Sequence, residues 1–199
     1  MLHKDVTQIS YAHRYDIFSV IKNILKNDLI QHFSLNLVRP DGEMLFFSGT
    51  PSHAFEICNK GFGNYDGIIS PENYQNHELY WWKDASHKKY QNEIEYIRKG
   101  ILKLHDGFML VRKFNDFYFM YSYAFKKNYE NIDKLVKDEI NTFLQLGDVA
   151  YMKLRDIYKG YCGNYVPPKI KRFYPFQGGV PCNRIENKSS DNNIILLNV

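Results

Sequence analysis

Cysteine is scarce in this sequence, and what there is forms no pattern. Cys58, Cys162 and Cys182 are widely spaced and odd in number, which excludes a disulfide framework and fits a reducing compartment. Long hydrophobic runs are also missing. The longest, such as Phe117 to Tyr121, falls far short of the roughly 20 residues of a bilayer span, so no membrane insertion is predicted. The start, Met1-Leu2-His3-Lys4-Asp5, is polar and has no apolar core of a secretory signal. Charge of one sign does not dominate: 26 basic residues face 22 acidic ones, for a net +4. The basic residues are scattered, apart from short clusters at Lys88-Lys89, Lys126-Lys127 and Lys169 to Arg172. Without a basic stripe or a reading helix, direct nucleic-acid binding is not expected.

Motifs of chemistry are lacking too. There is no H-E-x-x-H, no C-x-x-C and no G-x-S-x-G, and the seven histidines place no close pair on one helix face. Zinc hydrolases, redox dithiols and serine hydrolases are not indicated. Gly61-Phe62-Gly63 is too short to cradle a phosphate, and Glu93 and Glu95 read as a solvated helix face. The cysteines read as structural, with no positioned base to activate them. The expectation is therefore no catalytic residue, no metal ligand and no cofactor.

Aromatic residues are abundant instead. The 199 residues include 16 Tyr, 14 Phe and 2 Trp, within a hydrophobic content of 44%. That is ample for one globular domain with a core. Such a surplus suits pockets and interfaces as well as cores.

Along the chain, Ile17, Val20, Ile21, Ile24 and Leu25 keep helical spacing within residues 11–30, an amphipathic helix with one buried stripe. Phe33, Leu35 and Leu37 then alternate with Ser34 and Asn36, the period of a half-buried strand. Pro40-Asp41-Gly42 turns the chain into Met44 to Phe47, giving a hairpin over residues 32–48. Thr50 as N-cap with Pro51 at the first position predicts a short helix over His53 to Asn59. Residues 64–78 read as loop and lead into Tyr80-Trp81-Trp82, with a further helix from Asp84 to Lys99. Asn115-Asp116, between Phe108–Phe114 and Phe117–Phe125, predicts a two-residue hairpin turn. That turn pairs Phe114 with Phe117, Arg112 with Phe119, Leu110 with Tyr121 and Phe108 with Tyr123. The opposite face carries Met109, Val111, Tyr118, Met120 and Ala124, so both faces are apolar and both need a cover. Ile132, Leu135, Val136, Ile140, Phe143 and Leu144 continue helical over residues 130–159.

The order helix, hairpin, helices, hairpin, long helix predicts an α+β fold, a three-layer α/β/α sandwich around a central antiparallel sheet. The domain is expected over residues 1–160. Residues 161–199, with Pro167-Pro168, Gly178-Gly179 and a polar Asn/Ser/Lys tract, are expected to be an irregular tail packed in part through Phe173, Tyr174 and Phe176. A ligand site is expected where the sheet meets the middle helices, lined by Phe33, Phe46, Phe55, Tyr80, Trp81, Trp82, Leu110, Phe119, Tyr121 and Tyr123. Ligand pockets are mostly apolar with a few polar anchors, and the tyrosine hydroxyls and an indole N–H supply them. Adjacent tryptophans cannot both point inward from one regular strand.

Several strings resemble a known family. Ile30-Gln31-His32-Phe33-Ser34-Leu35-Asn36-Leu37-Val38-Arg39-Pro40-Asp41-Gly42-Glu43 is similar to the first hairpin of the sensory domains of LuxR-type regulators, in the divergent form found in Legionella relatives. Thr50-Pro51-Ser52-His53-Ala54-Phe55 and Lys113-Phe114-Asn115-Asp116-Phe117 resemble the following helix start and the later hairpin of those domains. The resemblance covers about residues 11–160. It implies a PAS/GAF-like sandwich holding a small ligand, in a signalling and transcription-regulating context. The chain departs from the acyl-homoserine-lactone receptors of that family: no Asp-Pro pair is present, and Ala54-Phe55 stand where their first aromatic is expected. The helix-turn-helix is also expected to be missing after Gly160. The reading is thus a non-catalytic sensor with a small apolar ligand and a homodimer or protein partner, in the bacterial cytoplasm. The rival reading is an effector translocated into a host cell, acting on a host protein through an enzymatic activity without a recognisable motif.

Overall fold

Asn115 and Asp116 adopt left-handed backbone, with φ of 47° and 62°, the conformation of a two-residue hairpin turn that matches strand twist. The turn locks β4 (Gly107–Phe114) against β5 (Phe117–Phe125) in the predicted register, with Leu110 opposite Tyr121 and Phe108 opposite Tyr123. The computed structural model describes residues 2–26, 28–50, 52, 55–57, 60–85 and 88–170, without the side chains of Asn64 and Lys88. Most of the predicted helix His53–Asn59, the cysteines Cys58 and Cys182, and residues 171–199 of the tail lie outside these.

Two short helices, α1 (Val6–Ala12) and α2 (Arg14–Ile24), replace the single predicted helix of residues 11–30. The chain breaks at His13, whose backbone is not helical, and Ile17, Ile21 and Ile24 form the buried stripe of α2. Strands β1 (Ile30–Val38) and β2 (Met44–Ser48) make the first hairpin. Mid-chain come 3-10 turns at Gly63–Tyr65 and Gly67–Ile69, then α3 (Pro71–Asn76), β3 (Leu79–Trp81) and α4 (Trp82–Ala85). The predicted helix of residues 84–99 resolves into pieces. A 3-10 turn at Lys88–Tyr90 leads into α5 (Gln91–Glu95), which opens into a π turn at Tyr96–Ile101. After the second hairpin, α6 (Ile132–Asp138) and α7 (Ile140–Leu154) divide the long helix at Glu139, and a 3-10 turn follows at Ile157–Gly160.

Among the described residues five strands form one antiparallel sheet in the order β2-β1-β5-β4-β3. One face carries Phe33, Leu35, Leu37, Phe47, Phe108, Leu110, Phe119, Tyr121 and Tyr123, buried in one cluster with residues of α1, α2, α6 and α7. The other carries Val38, Met44, Met109, Val111, Met120 and Ala124, buried with Ile68, Tyr74, Trp82, Ala85 and Leu104 of the mid-chain segments. Terminal helices on one side and mid-chain pieces on the other give the expected α+β layering.

Residues 161–170 take no regular structure yet pack on the first cluster through Cys162 and Tyr165, and the Tyr151 hydroxyl donates to the Pro168 carbonyl at 2.6 Å. The outer strand β2 is also covered. Phe46 N–H donates to the Tyr158 hydroxyl at 3.2 Å, and that hydroxyl donates to the Phe46 carbonyl at 3.1 Å. Backbone groups left open at a sheet edge are thereby satisfied.

Candidate functional site

Of the ten aromatic and aliphatic residues expected to line one pocket, nine are divided between the two sheet faces and Phe55 belongs to neither. Phe33, Leu110, Phe119, Tyr121 and Tyr123 all sit on the terminal-helix face, fully buried. There they meet α7 closely: a Cβ on Gly147 would stand 2.3 Å from the Tyr121 ring. Tyr123 donates to the Phe143 carbonyl at 2.5 Å. These five residues therefore pack away from the middle helices, because strand alternation points them to the face that α2 and α7 cover. Phe55 is 49% exposed. Trp81 packs half-buried on the terminal-helix face beside Phe108, ring centroids 5.7 Å apart. Only Phe46, Tyr80 and Trp82 belong to the mid-chain face. The adjacent tryptophans part because β3 ends at Trp81 and Trp82 opens α4.

The mid-chain face has a polar centre. Ser48, Ser34 and Ser122 lie directly opposite one another across β2, β1 and β5, all buried, with buried His32 and Asn36 beside them on β1. Neighbouring apolar residues complete the surface: Val38, Met109, Val111, Met120 and Ala124. Trp82 donates its indole N–H to the Ser122 hydroxyl at 3.1 Å, and its ring meets the His32 ring edge-on at 6.0 Å. Only glycine fits beneath that ring, since a Cβ on Gly107 would lie 2.5 Å from it.

Above Trp82, the Arg98 guanidinium lies 4.8 Å from the ring centroid, a cation–π distance. The same guanidinium grips the Asp66 carboxylate at 2.7 and 2.8 Å, and both residues are buried. Asp66 also accepts the Ile68 N–H at 3.3 Å, and the Tyr80 hydroxyl donates to the Ile68 carbonyl at 2.6 Å. The ion pair thus anchors the 3-10 turn at Gly67–Ile69 onto the π turn and the sheet. Burial, helped by the Arg98 charge, pushes the His32 imidazole down to about 3, so it is neutral at physiological pH. The Asn36 side-chain carbonyl is buried without a hydrogen-bond partner among the described residues, an arrangement that costs roughly 1–3 kcal/mol when nothing fills it. Two cavities among the described residues lie elsewhere, one of about 470 Å³ beside Leu29, Lys134 and Thr142 and one of about 500 Å³ beside Lys60, Asn92 and Tyr96, so a molecule reaches this face only where the mid-chain layer moves off the sheet.

The residues that make this centre, His32, Ser34, Asn36, Ser48, Asp66, Arg98 and Ser122, were outside the predicted set. A signal existed: three polar residues at alternate positions of β1, and a serine interrupting an otherwise apolar face of β5, in a sheet that needs cover on both sides. Arg98 and Asp66 carried none, because their meeting is tertiary.

No family model and no curated protein matches the sequence. Among solved structures the fold is similar to that of a LuxR-type regulator. The similarity is to SdiA of Escherichia coli, at 17% identity over 70% of this chain and 61% of that chain, with a TM-score of 0.54. A second structure, SdiA in complex with octanoyl-rac-glycerol, matches at 14% identity over 71% and 60%, with a TM-score of 0.50. The chain thus spans about three fifths of the length of the proteins it resembles. At these identities the likeness establishes the fold, as the sequence resemblance implied.

Proposed function

We propose that this chain is a non-catalytic sensory domain that takes up a small, largely apolar molecule with a hydroxyl or amide head between the sheet and the mid-chain layer. The observation that carries the reading is the buried polar centre of that face, Ser34, Asn36 and Ser122 under Trp82, with the Asn36 carbonyl unsatisfied. A core built only for packing gains nothing from an orphan acceptor and a row of hydroxyls. The covering layer is an assembly of short turns and helices, which must part from the sheet to admit the molecule, because its contacts with the sheet are buried. Of the aromatic residues predicted for the site, Tyr80 and Trp82 would touch the ligand, with Phe46 at the margin. The five on the terminal-helix face would hold the sheet in place. Likeness to a protein solved with octanoyl-rac-glycerol supports an acylated, hydroxyl-bearing ligand class. Output through a homodimer or a protein partner in the cytoplasm completes the reading, and no helix among the described residues is long and apolar enough to cross a membrane.

Native mass spectrometry of chain purified from its own host tests this, with octanoyl glycerol as the first added probe. A bound small molecule, retained by the wild type and weakened in Asn36→Leu at unchanged melting temperature, is expected; Ser122→Ala, which also strips the Trp82 N–H of its acceptor, should weaken it with a lower melting temperature. Release of no molecule, together with no probe binding, overturns the reading.

A further inference from the structure

Three segments far apart in sequence meet beyond the outer strand β2. His3 lies near the N-terminus, Glu43 precedes β2, and Cys162 follows the last 3-10 turn. An imidazole nitrogen, a carboxylate oxygen and the thiol sulfur all fall within 4.8 Å of one another. His3 and Cys162 are buried and Glu43 half-buried.

Each donor is held by its surroundings. His3 N–H donates to the Met44 carbonyl at 2.9 Å, and the His3 carbonyl accepts Val6 N–H at 3.1 Å. Its ring stands edge-on to Tyr158 at 5.5 Å. Nδ1 accepts the Asp5 backbone N–H at 3.1 Å, which leaves Nε2 facing Glu43 Oε1 at 3.8 Å. The second Glu43 oxygen is gripped by Arg39, whose guanidinium also reaches Asp41 at 3.0 Å. Cys162 N–H donates to the Tyr158 carbonyl at 2.9 Å.

We propose that His3, Glu43 and Cys162 form a binding site for a zinc-class divalent transition metal. One nitrogen, one oxygen and one sulfur donor suit a borderline ion, and a thiolate disfavours magnesium and calcium. Bonds of about 2.0–2.3 Å put donors of a tetrahedral ion roughly 3.3–3.8 Å apart. The His3–Glu43 pair, at 3.8 Å, must close by a few tenths of an ångström to reach the roughly 3.3–3.5 Å of a nitrogen and an oxygen donor. The widest separation must close by about 1 Å. The Arg39 contact orients the carboxylate as outer partners of metal ligands do.

On binding, the Cys162 thiol gives its proton to solvent and its sulfur bonds the ion. In the bound form the His3 ring carries its hydrogen on Nδ1, so the Asp5 N–H contact is released and Nε2 bonds the ion. Glu43 Oε1 supplies the third bond and water the fourth. Burial and the Glu43 carboxylate push the Cys162 thiol up, a cost that a divalent cation offsets. The bound ion staples the N-terminal segment and the chain after α7 to the edge of the sheet.

Cobalt(II) titration of the full chain carrying Cys58→Ser and Cys182→Ser tests the site. Expected at one equivalent are a thiolate-to-cobalt charge-transfer band and intense tetrahedral d–d bands, both abolished by zinc. Adding Cys162→Ser should remove the charge-transfer band, and adding His3→Gln should weaken binding at least about tenfold. If either addition prevents folding, alkylation decides instead, and zinc should then protect Cys162 of the parent from iodoacetamide. Absence of the band, its persistence with Cys162→Ser, unchanged affinity with His3→Gln, or unprotected Cys162 would each overturn the proposal.

Discussion

The hydroxyl of Tyr121 donates to the Asp148 carboxylate at 2.5 Å, tying the middle of β5 to α7 inside the core. The Arg112 guanidinium closes on the other carboxylate oxygen. Asp148 is fully buried, and Arg112 is 13% exposed. Removing one partner of a buried ion pair costs about 3–5 kcal/mol. Asp148→Ala is expected near the low end, because Arg112 keeps some solvent. Tyr121→Phe should cost less, about 1–3 kcal/mol. Urea unfolding at neutral pH measures both, and equal effects would contradict the ion pair as the stronger element.

His32 makes stability depend on pH in a defined direction. Its imidazole is lowered from 6.5 to about 3 in the folded chain by burial and by Arg98. Between those values the unfolded chain binds a proton that the folded chain refuses, so stability is full above about 6.5 and is lost as pH falls toward 3. A displacement of this size corresponds to a loss on the order of 3–5 kcal/mol. His32→Gln should flatten this part of the profile. Its difference from the wild type between pH 5 and pH 7, read by denaturant titration, isolates His32 from the carboxylates that titrate lower.

The two tryptophans should separate cleanly. Trp82→Phe deletes the donor to Ser122 on the proposed ligand face and should weaken ligand binding at least about fivefold, a loss of about 1 kcal/mol. Trp81→Phe, on the other face beside Phe108, should leave affinity unchanged. Calorimetric titration of both variants checks this. A loss of affinity confined to Trp81→Phe would place the ligand on the terminal-helix face.

Gly147→Ala tests how tightly α7 lies on the sheet. The added methyl would stand 2.3 Å from a Tyr121 ring that is buried and bonded to Asp148, so the ring cannot swing away. Overpacking of this kind costs about 1–3 kcal/mol. Thermal unfolding should show a clear drop, whereas Gly160→Ala, with open space around it, should not.

Much of the sheet was legible in the sequence. Asn115-Asp116 set the second hairpin, and alternation along β4 and β5 sorted Leu110, Phe119 and Tyr121 from Met109, Val111 and Met120. The helical pattern was legible as burial and misleading as length. Ile17 to Ile24 gave the stripe of α2, yet His13 and Glu139 interrupt helices that the apolar spacing ran together. Residues 64–78 showed no period because their helices and turns are too short to have one, and their order comes from Tyr80, Asp66 and Arg98 holding them to the sheet.

Alternation with period two assigns every strand residue to one of two faces, and the sequence by itself decided that division. It is silent on which face meets which layer, because the pattern is unchanged when the two are exchanged. Only the tertiary structure decided that α2 and α7 close over Tyr121 and Tyr123, leaving Ser34, Asn36 and Ser122 to the mid-chain pieces. The same holds for the pairs that carry the chemistry. Arg98 with Asp66, and His3 with Glu43 and Cys162, are separated by tens to more than a hundred residues, and short-range spacing cannot report contacts that only chain folding creates.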